Sequence, residues 1–132
     1  GYQVELLLHV LASGLADYVA MGVKTSFEKY DLAAGRPVDT GRIAAAIEGI
    51  KQSGVNHEFR TTCVPGLVEL DDVLTIAAVL GPDEQYFLQQ FRSGAGVLDP
   101  AWANVPAYAP SMLRSFVQAA SGIVRRVALR GC

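Results

Sequence analysis

His57-Glu58-Phe59-Arg60-Thr61-Thr62-Cys63-Val64-Pro65-Gly66 is rich in β-branched residues and closes on Pro-Gly, the composition of a strand that ends in a sharp turn. Side chains alternate between the two faces of a strand, so Glu58, Arg60 and Thr62 share one side while Phe59 and Cys63 share the other. One face is polar and cationic, the other apolar. A guanidinium in a covered strand needs a partner, because an unpaired buried charge is strongly destabilising. Arg60 has two candidates: Glu58, two positions away, or a bound ligand.

Upstream, Ile43, Ala46, Ile47 and Ile50 recur at helical spacing between Asp39 or Thr40 and Gly54, which predicts a helix leading almost directly into the central strand. Before it, Asp17-Tyr18-Val19-Ala20-Met21-Gly22-Val23 is a nearly charge-free run of the kind a buried parallel strand shows, with Lys24 next and on the same face as Gly22. A first helix is expected over Gln3 to Ser13, capped by Gly14, and a helical turn around Phe27 to Tyr30. Downstream, Glu69, Asp71 and Asp72 suit the first turn of a helix that runs to Gly81-Pro82. Gln85 to Phe91 reads as a third strand, Ser111 as the cap of a helix to about Ala120, and Ile123 to Arg130 as a fourth strand. Four helix-strand units imply a parallel sheet with right-handed crossovers, in one α/β domain over residues 1–132. Helix-to-strand links are short, whereas those after Lys24 and Arg92 are long. Long loops at the carboxyl ends of parallel strands are where such sheets keep their sites.

Composition narrows the classes of function. The chain has 132 residues, 51% of them hydrophobic, and mean hydropathy is +0.27, so a disordered tail is excluded. A net charge of −2 and a pI near 5.6 give no general attraction to nucleic acid or anionic lipid. The longest apolar run, Leu6 to Leu11 interrupted by His9, is too short to span a bilayer, and neither a targeting segment nor a membrane partner is expected. Cys63 and Cys132 form neither a disulfide framework nor a metal motif, which points to the cytoplasm.

Lys24, Arg60 with Thr62, Gln90 with Arg92, and Arg130 all fall at strand ends on one rim. Cations converging there in an acidic protein describe a pocket for an anion: a carboxylate, a phosphate or the amino-acid end of a sulfonium cofactor. The plainer alternatives are an internal Arg60 and Glu58 ion pair, and Lys24 and Arg130 snorkelling to solvent. Cys63 reads as a buried strand thiol rather than a nucleophile, and neither His9 nor His57 has a partner at metal-ligand spacing.

Three runs carry a resemblance: Asp17 to Lys24 with Glu28-Lys29-Tyr30; Glu58 to Leu67; and Leu88-Gln89-Gln90-Phe91-Arg92 with Leu98-Asp99-Pro100. In this order the chain resembles the carboxyl half of radical S-adenosylmethionine activating proteins, closest to those of anaerobic ribonucleotide reductase and related to the pyruvate formate-lyase activating enzymes. The resemblance implies four parallel strands of a partial TIM-like (β/α)6 barrel. There a 4Fe-4S cluster reduces S-adenosylmethionine to a 5′-deoxyadenosyl radical, which takes a hydrogen from a glycine of the partner glycyl-radical enzyme. By the same resemblance Lys24 and Arg60 hold the methionine carboxylate, Thr62 adds contacts, and Gln90 or Arg92 approaches the adenosine.

The departures from that family matter as much. Its Cys-x3-Cys-x2-Cys motif has no counterpart here, nor has its Gly-Gly-Glu-Pro stretch, and Gly22 stands where relatives usually carry an aspartate. The expectation is a fragment that begins within the barrel, inactive alone, and self-associating through exposed sheet edges. The alternative, from another class, is a stand-alone non-enzymatic α/β module binding a small anion or a partner protein through its strand-to-helix loops. A metal-independent enzyme is disfavoured because no nucleophile and base are paired.

Overall fold

The computed structural model describes residues 18–92 and 105–131. The helix expected over Gln3 to Ser13, His9, Trp102, the Leu98-Asp99-Pro100 run and Cys132 lie outside the described residues. Four strands, β1 (Tyr18–Gly22), β2 (Asn56–Cys63), β3 (Gln85–Gln90) and β4 (Arg126–Arg130), form one sheet in the order β1-β2-β3-β4. Every neighbouring pair is parallel, with Gly22 opposite Arg60, Arg60 opposite Phe87, and Phe87 opposite Ala128.

A 3-10 turn (Phe27–Lys29) runs into a short helix, α1 (Tyr30–Ala34), that stops at Gly35 with φ of 69°. Helix α2 (Thr40–Gln52) starts where the Asp39 carboxylate accepts the Gly41 N–H at 3.0 Å, and it buries Ala46, Ile47 and Ile50. Helix α3 (Leu70–Leu80) carries a capping box in which Glu69 and Asp72 satisfy each other's backbone N–H groups, and it buries Val73, Ile76, Ala77 and Leu80. Helix α4 (Pro110–Ala120) buries Leu113, Phe116 and Ala120.

Two boundaries differ from expectation. Helix α4 is not capped by Ser111: it begins with Pro110 after Ala109, because a proline in the first turn lacks only an N–H that has no helical partner anyway. The fourth strand starts at Arg126 rather than Ile123, since the Ile123 and Val124 N–H groups still bond the Ala120 carbonyl and extend the helix end.

The crossovers all step the same way across the sheet, and with the right hand that parallel connections take, the described helices fall on one face. That face holds the core: Phe59, Cys63, Tyr86 and Leu88 from the strands pack with Ile47, Ile50, Val73, Leu80, Leu113 and Phe116. The opposite face is left to Ala20, Gly22, Glu58, Arg60, Thr62, Phe87, Gln89, Ala128 and Arg130 by the alternation of the strands. Among the described residues no helix is long and apolar enough to cross a membrane.

Candidate functional site

At the carboxyl ends of β1 and β2, a cavity of about 260 Å³ opens on the face that carries no helix among the described residues, hereafter the helix-free face. Its polar wall is Lys24, Arg60, Thr62 and Gln89, and its apolar wall includes Val23, Val64 and Leu67. Lys24, two residues beyond the end of β1, and Arg60, on the neighbouring β2, thus line one mouth.

The backbone around Lys24 is held from several directions. The Val23 N–H donates to the Arg60 carbonyl at 2.8 Å, and the Thr61 hydroxyl donates to the Val23 carbonyl at 2.8 Å. The Lys24 N–H donates to the Tyr30 hydroxyl at 3.0 Å, and the buried Thr25 hydroxyl donates to the Leu67 carbonyl at 2.7 Å. One step on, Ser26 and Lys29 both donate to the buried Asp72 carboxylate, each at 2.7 Å, tying the loop after β1 to the start of α3. Burial pushes the Asp72 carboxyl upward, but donation from Lys29, the Glu69 N–H and Ser26 outweighs it and holds the group below its ordinary value. The other side of the cavity follows from the Pro65-Gly66 turn, where Gly66 takes φ of 87°, a conformation that glycine adopts without strain.

Arg60 is oriented by Glu58, which is 4% exposed although it lies on the face that carries no helix. The Arg60 Nε donates to Glu58 Oε2 at 2.9 Å, Arg130 donates to both carboxylate oxygens at 2.8 and 3.4 Å, and the Tyr18 hydroxyl donates to Oε1 at 2.5 Å. Arg130 also stacks over the Phe87 ring, 3.5 Å from its centroid. Burial raises the Glu58 carboxyl, but the Tyr18, Arg130 and Arg60 donors lower it further, so the net shift is downward. The Tyr18 phenol is pushed up, chiefly by its bond to Glu58. One carboxylate between two guanidiniums leaves a surplus positive charge. Among the described residues, the terminal nitrogens of Arg60 and the Lys24 ammonium have no hydrogen-bond or ion-pair partner.

The internal ion pair weighed for Arg60 is therefore present, yet it occupies only the Nε edge of the guanidinium. Thr62 lines the cavity, its hydroxyl 3.4 Å from Gln89 Oε1. Gln90 does not reach it: the register that places Thr62 beside Gln89 turns Gln90 to the helical face, where its amide donates to the Tyr108 carbonyl at 3.0 Å. Arg92, exposed beyond the end of β3, does not line it either. Arg130 shares Glu58 with Arg60 and does not snorkel to solvent alone. Sequence reasoning missed Gln89, which only its register beside Thr62 distinguishes from Gln90, and the supporting roles of Thr61 and Tyr30.

The donor set fits a carboxylate, since Lys24 and Arg60 line one cavity and their terminal nitrogens have no partner among the described residues. It does not fit an iron-sulfur cluster: Cys63 is fully buried on the opposite, helical face, and no group of three metal-ligating side chains occurs among the described residues. At the other end of the sheet, His57 faces the Val55 carbonyl through Nδ1 and Glu84 through Nε2. Both ring nitrogens are engaged.

The chain is similar to the provisionally named glycyl-radical enzyme activating enzyme of Methanocaldococcus jannaschii, 28% identical over 134 residues that cover 98% of this chain and 55% of the relative. It thus spans about half the length of the curated relative it matches. The similarity supports the activating-enzyme family that the sequence motifs resemble, without singling out a subfamily. No protein-family model matches the chain, and no solved structure matches it.

Proposed function

We propose that these residues form the S-adenosylmethionine-binding wall of a radical S-adenosylmethionine activating protein, as the carboxyl-terminal strands of its partial barrel. Its partner would be a glycyl-radical enzyme, with anaerobic ribonucleotide reductase first among the candidates. The observation that carries the proposal is the meeting of Lys24 and Arg60 in one cavity on the helix-free face. A cavity of 260 Å³ is below the usual range for a whole cofactor, so it suits the methionine end, with the carboxylate between the ammonium and the guanidinium. Thr62 and Gln89 add hydroxyl and amide groups on the same side, while Val23, Val64 and Leu67 exclude water behind the charge. Gln90 and Arg92, by their placement, belong to the support and the rim of the fold rather than to this cavity.

When bound, an iron-sulfur cluster supplies the electron for this family's chemistry. The two cysteines of the chain do not make its ligand set, so the 132 residues are proposed to be inactive by themselves. Anaerobic reconstitution with iron and sulfide tests this, and four irons per chain would contradict it. Binding is tested by calorimetry with S-adenosylmethionine: measurable heat from the wild type and loss of it in Arg60→Ala are expected. Equal binding by both proteins would overturn the assignment, and binding of other small anions alone would favour a non-enzymatic module.

A further inference from the structure

We infer that Glu58 is a positioning residue for this anion site: it grips Arg60 by Nε alone and so presents the two terminal guanidinium nitrogens to the ligand. The inference rests on the reading of Lys24 and Arg60 as an anion site. An arginine paired for stability usually meets a carboxylate through two parallel N–H bonds, which uses up its recognition edge. Arg130 does so here, donating from both terminal nitrogens to the two oxygens of Glu58. Arg60 does not, and only its Nε touches the carboxylate, at 2.9 Å. Two guanidiniums on one carboxylate thus play different parts: Arg130, stacked on Phe87, holds the carboxylate, and the carboxylate holds Arg60. With the Tyr18 hydroxyl on Oε1, both oxygens are occupied and the group is almost wholly covered, so Glu58 does not itself meet a ligand.

The sign of the electrostatics makes the inference testable. A carboxylate beside an anion site weakens anion binding by simple repulsion, so its removal should tighten binding if charge were all it supplied. If it supplies orientation, its removal weakens binding although the site becomes more positive. Calorimetry with S-adenosylmethionine is therefore run on the wild type, Arg60→Ala, Glu58→Gln and Glu58→Asp, with thermal unfolding of each to confirm that it folds. Affinity about tenfold lower is expected for both Glu58 variants, the second because it keeps the charge but shortens the reach by one methylene. The Nε–H resonance of Arg60 in nitrogen-15 NMR reports the grip without any ligand. It is expected to be slow to exchange in the wild type and fast in Glu58→Gln. Tighter or unchanged binding by Glu58→Gln, or an unaltered Arg60 resonance, would overturn the role of Glu58 while leaving the anion site standing if Arg60→Ala still loses binding. No binding by the wild type, or equal binding by Arg60→Ala, would overturn the anion site and this inference with it.

Discussion

Replacing Thr61 by valine keeps the volume of a buried side chain and removes one oxygen, which is the relay between the core and the strand end that carries Lys24. Tyr86, fully buried, donates its hydroxyl to Thr61 Oγ1 at 2.6 Å, and Thr61 donates onward to the Val23 carbonyl at 2.8 Å. Burial already pushes the Tyr86 phenol far above its ordinary value, so this hydroxyl has no recourse to ionisation or to water. Thr61→Val leaves both the hydroxyl and the carbonyl without that bond. At about 1–3 kcal/mol for each unsatisfied buried group, part of it relieved by relaxation, the expected loss is about 2–4 kcal/mol. Adding Tyr86→Phe removes the stranded hydroxyl, so the double variant should be about 1 kcal/mol more stable than Thr61→Val alone, a coupling that a double-mutant cycle in urea measures directly. Because Val23 precedes Lys24, weaker S-adenosylmethionine binding is expected in Thr61→Val as well. A Thr61→Val protein within about 0.5 kcal/mol of wild type, or a cycle with no coupling, would refute the relay.

Three further expectations follow from the same contacts. The lowered Asp72 carboxyl stabilises the fold fully above the pKa of an unfolded aspartate and loses that contribution as pH falls through the folded value. Wild-type stability should therefore drop, as pH falls below the ordinary aspartate range, more steeply than that of Asp72→Asn, which is expected to cost about 1–2 kcal/mol at neutral pH, measured by urea titration across pH. A Cβ built at Gly22 meets nothing within 4 Å, and Gly22 lines the cavity opposite Arg60, so Gly22→Leu should fold while filling the space beside Lys24 and Arg60. S-adenosylmethionine affinity is expected to fall at least about fivefold in calorimetry, and unchanged affinity would show that the ligand does not use this cavity. The helix-free face and the edges at β1 and β4 are expected to drive self-association, which light scattering over a range of concentrations detects; a monodisperse monomer throughout would refute it.

The sequence showed the parity of β2 because its two faces differ sharply: Glu58, Arg60 and Thr62 against Phe59 and Cys63. Alternation alone then put Arg60 and Lys24 on the side where the cavity is found. The same rule was silent in β3, where Tyr86 and Leu88 face the helices but Phe87 sits apolar on the other side, stacked under Arg130. With both faces greasy, nothing local distinguished Gln89 from Gln90, and only the pairing of Thr62 with Gln89 decides it. Ile123 and Val124 looked like strand for a comparable reason: their apolar side chains satisfy either element, and the backbone bonds to Ala120 choose the helix end. Thr61 was hidden because a lone hydroxyl among apolar neighbours shows no pattern until its partners, one on β3 and one at the end of β1, are known.

Glu58 and Arg130 belong to strands that are not neighbours, and β3 runs between them. Their side chains meet diagonally across the sheet over Phe87, so one carboxylate fastens β2 to β4 although the two strands share no backbone hydrogen bond. That fastening and the grip on Arg60 share a single group, and acid strong enough to protonate it should loosen both at once.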